Sequence, residues 1–290
     1  MNPPSSQSRR QFLARTLPAT AASLVASRAA FAAPPGFQMK LSFMTFVCPT
    51  WPMEKIVKFA KEAGYDGVEI RVDAKHAHNV SSQSSADVRR QVKKLFADQG
   101  VEIASVATSV QFGHLQPDVH KKNLESAKVN LQLAADLGAP VVRIFAGGKG
   151  PITPEIAKQV AAAYEEIGEQ FKGSGSCPIL ECGHDIIKGA AEAAQVIQQV
   201  HTQNFGVLWN TSTMDDATFA ALKDRIRHFH VHDEVLNPET KNLVDVARRM
   251  KGIGFRGFVS LEIIHNKDLP EDLLKQTAVE LKRQIAQGSA

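Results

Sequence analysis

What this 290-residue chain lacks narrows its class before anything it contains does. It has three cysteines, Cys48, Cys177 and Cys182, an odd and sparse set that excludes a disulfide framework. Cys177 and Cys182 stand five apart across a predicted strand, so they face opposite ways and do not pair. No run of about 18 apolar residues occurs, so the mature chain is expected to have no membrane span. Charge of one sign is also missing. The formal charge is +4, but Arg9, Arg10, Arg15 and Arg28 fall in the first 32 residues, which hold no acidic residue. The remainder carries 30 basic and 30 acidic residues. A neutral body without clustered Lys and Arg is not expected to take nucleic acid as a partner. Apolar residues still make up 43 % of the chain, enough for one large globular core.

The first 32 residues read differently from the rest. A polar start leads into SRRQFLART, then the apolar LPATAASLVAS, then Ala30-Phe31-Ala32. A charged opening, an apolar middle and a small-x-small end make a secretory signal, here in its twin-arginine form at Arg9-Arg10. The expected division is therefore a leader over 1–32, a short linker over 33–39 and a single domain over 40–290. The expected location is the periplasm or outside the cell. That route carries proteins already folded, often with a cofactor installed, which hints at a bound metal.

From residue 40 a regular alternation sets in. Strands are predicted at 40–46, 67–71, 101–108, 139–145, 178–182, 205–209, 226–232 and 257–263. Helices are predicted at 53–64, 84–99, 118–137, 153–172, 189–200, about 214–224, 242–251 and 270–286. Strict alternation implies parallel strands joined by crossover helices. Eight such units in about 250 residues are the count and size of an α/β protein closed into a (β/α)8 TIM barrel.

The stretch IRHFHVHD (226–233) tests that reading, because His228, His230 and His232 alternate with Phe229 and Val231. In a barrel, alternate side chains point inward and the others meet the helices. The histidines then climb the interior toward the C-terminal mouth, where such barrels keep their sites. The same parity turns Glu69, Arg71, Arg143, Glu181, Asn210 and Glu262 inward at the mouth. Buried carboxylates need a partner or a cation. Glu181, His230 and Glu262, with Asn210 placed to add a fourth oxygen, suit Mn²⁺, Mg²⁺ or a similar divalent ion. Salt bridges are the competing use for each of these residues: Glu69 with Arg71 or Arg143, and Glu181 or Glu262 with a histidine. His76, His78 and His114 fall in loops and are expected to be solvated. Trp51 is a candidate for stacking on a ligand ring, whereas Trp209 is expected to pack under a helix.

The motifs AGYDGVEIR, LAADLGAPVVRIFAGG, PILECGHD, FGVLWN, IRHFHVHD and GFRGFVSLE carry a resemblance over residues 40–286. The chain resembles the xylose-isomerase-like barrel proteins, often called sugar phosphate isomerases/epimerases. The resemblance implies a divalent metal held by Glu, Asp, His and Glu from strands five to eight, positions occupied here by Glu181, Asn210, His230 and Glu262. It also implies that Glu181 and Glu262 form the acid/base pair. His184 lies near a Glu-x-His pattern with one extra residue of spacing, and Asp233 matches an Asp that often follows the ligand histidine. Two positions depart from the pattern: Asn210 replaces Asp, and Thr213 stands where a histidine is usual.

The implied activity is isomerisation or epimerisation of a sugar or keto-sugar through an enediolate, or elimination if a leaving group sits beta to the carbonyl. Glu69, Arg143, His184, His232 and Asp233 are the expected substrate contacts. An exported protein favours a substrate without phosphate. Asn210 and Thr213 motivate the alternative of a degenerate barrel that binds carbohydrate without turnover. A homo-oligomer remains open.

Overall fold

The structure is a computed structural model that describes residues 36–210, 214–232, 234 and 242–290. The predicted leader, Thr213 and Asp233 lie outside the described residues. The strands are β1 (Gln38–Met44), β2 (Gly67–Arg71), β3 (Glu102–Gln111), β4 (Val141–Phe145), β5 (Cys177–Cys182), β6 (Gly206–Asn210), β7 (Ile226–Val231) and β8 (Arg256–Leu261). The helices are α1 (Met53–Ala63), α2 (Ala86–Gln99), α3 (Pro117–Leu137), α4 (Pro154–Gln170), α5 (Ala190–Ile197), α6 (Asp216–Leu222), α7 (Asn242–Gly252) and α8 (Glu271–Ser289). Each strand pairs in parallel with the next, and β8 returns to β1, closing the barrel. The fold is the single (β/α)8 barrel expected from the alternation.

Local rules explain the helices. In α1, Met53, Ile56, Val57 and Ala60 recur at helical spacing and are all buried. The helix stops at Gly64, whose left-handed φ of 79° lets its N–H reach back to the carbonyls of Ala60 and Lys61. Ser85 and Thr153 cap α2 and α4 by accepting from the N–H groups of Val88 and Ile156.

Strand parity sorts the barrel into two environments. The outward residues Val68, Ile70, Val142, Ile144, Leu180, Cys182, Val207, Trp209, Phe229, Val231, Val259 and Leu261 are fully buried in the layer shared with the helices. Burying each large apolar side chain there contributes about 1.5–3 kcal/mol. Inside the barrel, apolar packing shrinks to a small cluster of Val141, Ile179 and Leu208. Most of the remaining interior is polar, which is the inverse of a core built for stability alone.

Both ends of β1 differ from expectation. β1 runs from Gln38 to Met44 rather than 40–46. Its start is tied to β8 by the Gln38 N–H donating to the Phe255 carbonyl, and a tight turn over Thr45–Val47 ends it. The cysteines are all free, with Cys48 and Cys182 buried and Cys177 partly so.

Candidate metal and substrate site at the barrel mouth

β7 delivers the imidazoles. His228 and His230 point inward with no exposed surface, and His232 follows just past the strand end. Register places His230 beside Asn210 of β6 and Ser260 of β8. Glu262 is the first residue past β8, yet its N–H still donates to the Val231 carbonyl at 2.8 Å, so ladder bonding fixes where its side chain begins.

Below the mouth, Glu69 of β2 reaches across the barrel to both inner histidines. Its Oε2 accepts from His228 Nε2 at 2.9 Å and from His230 Nε2 at 3.1 Å. Burial alone would raise the Glu69 pKa, but the charges and hydrogen bonds of His230 and His228 outweigh it and hold the carboxyl well below its ordinary value. Glu69, expected as a substrate contact, is thus fully buried and engaged with two rings, so its chemistry here is to orient them.

With Nε2 committed to Glu69, Nδ1 is the His230 nitrogen that faces the mouth. It lies 2.8 Å from Glu262 Oε2 and 3.7 Å from Glu181 Oε1. Neither His230 Nδ1 nor Glu181 Oε2 has a partner at hydrogen-bonding geometry, although both are buried. One ligand atom from each of Glu181, His230 and Glu262 lies within 4.8 Å of the others. Burial would lower the His230 pKa, yet the carboxylates of Glu262 and Glu69 raise it well above its ordinary value. Burial would raise that of Glu262, yet His230 draws it down to about 2. Converging donors of this type, two of them lacking hydrogen bonds, fit a small divalent cation. The Glu69–His230 contact is the outer-shell carboxylate that usually orients a ligating histidine.

Arg143 of β4 approaches Glu181 Oε2 at 3.1 Å, and its guanidinium lies 4.0 Å from the Phe145 ring centroid. Arg143 and Glu181 are 2 % and 3 % exposed, so this ion pair is desolvated. Asn210 is also engaged: its Nδ2 donates to the Cys182 carbonyl at 2.9 Å, and its Oδ1 accepts from His232 Nε2 at 2.6 Å. The other His232 nitrogen lies 3.0 Å from the Glu262 carbonyl. His184 stands at the rim, beside Phe145 with ring centroids 5.2 Å apart. Its pKa is raised by Asp185, with Glu181 and Glu262 adding to the effect.

Other expectations fare differently. His76 and His78 are not solvated; both are 8 % exposed, and both rings turn to Thr45 Oγ1 at 3.3 and 3.4 Å. Desolvation, with Arg71 second, lowers the His76 pKa, and desolvation, with His76 second, brings His78 to about 4. Trp51 is buried against Phe59 rather than offered to a ligand, with Lys55 over its ring at 3.9 Å. Trp209 packs in the outer layer, as parity requires.

Comparison with known proteins places this architecture. Among solved structures, 3-keto-D-glucoside 4-epimerase YcjR from E. coli superposes with a TM-score of 0.71 at 14 % identity, covering 85 % of this chain and 100 % of that one. A D-psicose 3-epimerase from Clostridium cellulolyticum H10, solved with D-tagatose, gives 0.72 at 14 % identity over 87 % and 99 %. An IolI protein solved with a bound zinc atom gives 0.70 at 19 % identity over 86 % and 99 %. At such identities the likeness shows the fold alone. Among curated proteins no match was found. Residues 57–284, however, match the family described as Xylose isomerase-like TIM barrel. With the closed eight-strand barrel and the family's motif positions on its strand ends, the chain belongs to the xylose isomerase-like TIM barrel family.

Proposed function

We propose that this protein is a metal-dependent isomerase or epimerase of a sugar or keto-sugar. The observation that carries this reading is the convergence of Glu181, His230 and Glu262 on one point inside the mouth. Glu181, His230, Glu262 and Asn210 would hold a divalent ion such as Mn²⁺ or Mg²⁺. Such an ion would polarise a carbonyl and its neighbouring hydroxyl, acidifying the carbon between them.

The protein's own groups do the rest. Glu181 and Glu262 enter from β5 and β8, two separate sides of the same space, so one is placed to take a proton from that carbon and the other to return one. Return to the opposite face gives an epimer, and return to the neighbouring carbon gives an isomer. Loss of a beta leaving group from the same enediolate gives elimination. Arg143 holds Glu181 by Oε2 while Oε1 is the oxygen nearer His230, and Glu69 fixes the His230 ring from below. His184, at the rim, would meet substrate hydroxyls, and His232 would do so by exchanging its contact with Asn210 or with the Glu262 carbonyl. The similar structures include epimerases named for keto-sugar substrates and one with zinc bound, which supports this class. The sequence of residues 1–32, read as a leader, supports a periplasmic or secreted setting and a substrate without phosphate.

One observation favours binding without turnover: the Asn210 amide is uncharged and already engaged with His232 and the Cys182 carbonyl. A single experiment separates the readings. The full chain, loaded with Mn²⁺, is incubated with a panel of keto-sugars in D₂O, and deuterium at the carbon next to the carbonyl is followed by NMR. Exchange that falls by about 100-fold or more in Glu181→Gln and Glu262→Gln supports the enzyme. Saturable sugar binding with no exchange for any member leaves the binding reading in its place.

A further inference from the structure

The barrel's opposite pole holds a second feature, lined by none of the three residues that converge at the mouth. A cavity of about 290 Å³ opens where β1, β3, β4, β5, β7 and β8 begin. It exists because the floor is thinly filled. β2 starts at Gly67, where a Cβ would come within 2.6 Å of Phe258, so only glycine lets that ring lie across the floor. At the floor β3 contributes the methyl group of Ala104, with Glu102 at the rim.

The rim is cationic. Lys40, Arg227 and Arg256 line it with a single carboxylate, Glu102, which pairs with Lys40 at 2.5 Å. The two arginines have no anionic partner among the described residues. Arg256 donates to the Gly36 carbonyl and Gln38 Oε1, and Arg227 donates to the carbonyls of Ile226 and Asp224. Cys177 adds no charge, since burial pushes its thiol up to about 11.

The inner end is polar as well. His228 lines the cavity, is fully buried, and has an Nδ1 without any hydrogen-bond partner. Its Nε2 gives its hydrogen toward Glu69 and lies 2.9 Å from Ser260 Oγ. Nδ1 is therefore the His228 atom left for a ligand, and a hydroxyl, which both donates and accepts, matches it. Leaving such a buried atom unmatched is costly.

We propose that this cavity binds a small hydroxycarboxylate. The carboxylate meets Arg256, Arg227 and Lys40 at the rim, a hydroxyl hydrogen-bonds with His228 Nδ1, and the carbon chain lies against Phe258 and Ala104. The volume sits at the low end for ligand pockets and fits an acid of about three to six carbons.

The test titrates the full chain, held in EDTA, with sodium D-glycerate by isothermal calorimetry. Propionate, glycerol and inorganic phosphate are run in parallel. Glycerate is expected to bind saturably and about 10-fold more tightly than propionate or glycerol, each of which lacks one half of the match. Ala104→Leu, which fills the cavity, abolishes binding, and Arg256→Gln weakens it about 5–10-fold. Glu262→Gln, at the far mouth, leaves it unchanged. Because Ala104→Leu can fail to fold, circular dichroism accompanies each variant, and the rim variant alone then decides. Absence of saturable glycerate binding overturns the proposal. So does binding of propionate or phosphate as tight as that of glycerate, which marks an adventitious ion only. Binding that survives both Ala104→Leu and Arg256→Gln, or is lost in Glu262→Gln, places the ligand elsewhere and also overturns it.

Discussion

Replacing Glu69 by Gln keeps the shape of a side chain that touches no solvent but changes what it offers to two histidines. Glu69 Oε2 accepts from His228 Nε2 at 2.9 Å and from His230 Nε2 at 3.1 Å, and Oε1 lies 3.3 Å from the latter. A glutamine has one acceptor oxygen and one NH₂ donor. Whichever way the amide turns, one ring N–H meets a donor. If His230 yields by moving its proton to Nδ1, the atom facing Glu181 and Glu262 loses the lone pair a metal needs. If His228 yields, His230 keeps only a neutral hydrogen bond in place of a charge-assisted one about twice as strong. Loss of such an outer partner weakens metal binding about 10- to 100-fold, or about 1.4–2.8 kcal/mol. The assay is calorimetric titration of Mn²⁺ into metal-stripped protein, with circular dichroism to confirm the fold. Glu102→Gln, at an exposed ion pair, serves as the control. A folded Glu69→Gln protein that binds Mn²⁺ within about threefold of the parent refutes the reasoning, because Glu69 would then not prepare His230 for a cation.

Two further outcomes follow from buried groups near the mouth. His78 is held at about 4 against 6.5 when unfolded, so its contribution is complete above pH 6.5 and is lost as pH falls from 6.5 toward 4. The gap corresponds to on the order of 3 kcal/mol, and urea unfolding of His78→Leu should show a flatter pH dependence than the parent over that window. An equally steep variant contradicts this. Removing Arg143 leaves Glu181 charged and buried, so Arg143→Met should cost about 3–5 kcal/mol, while Arg143→Met combined with Glu181→Met costs less. A strictly additive double variant would show that the two side chains do not depend on each other.

How much of this was legible depends on whether a feature is local in sequence. Strand parity is local: alternating Phe229 and Val231 with three histidines suffices to turn His230 inward, and the same test turns Glu181 and Glu262 the same way. The closed barrel then brings them together because β5, β7 and β8 end at one pole. Glu69 is different. Parity places it inside, but its partners sit on β7, across the barrel, and no pattern within GVEIR reveals that it binds two rings rather than a substrate. The burial of His76 and His78 is equally non-local, since their loop folds back onto Thr45 at the end of β1. The floor cavity arises from absent side chains at Gly67 and Ala104, whose consequence appears only when Phe258 of β8 is seen to lie across them.

The most direct measurement is an anomalous difference map from crystals of the protein soaked in Mn²⁺. The account predicts one strong peak at the mouth, about 2.0–2.4 Å from His230 Nδ1 and from carboxylate oxygens of Glu181 and Glu262. A map with no peak there, or with manganese bound away from all three side chains, contradicts it.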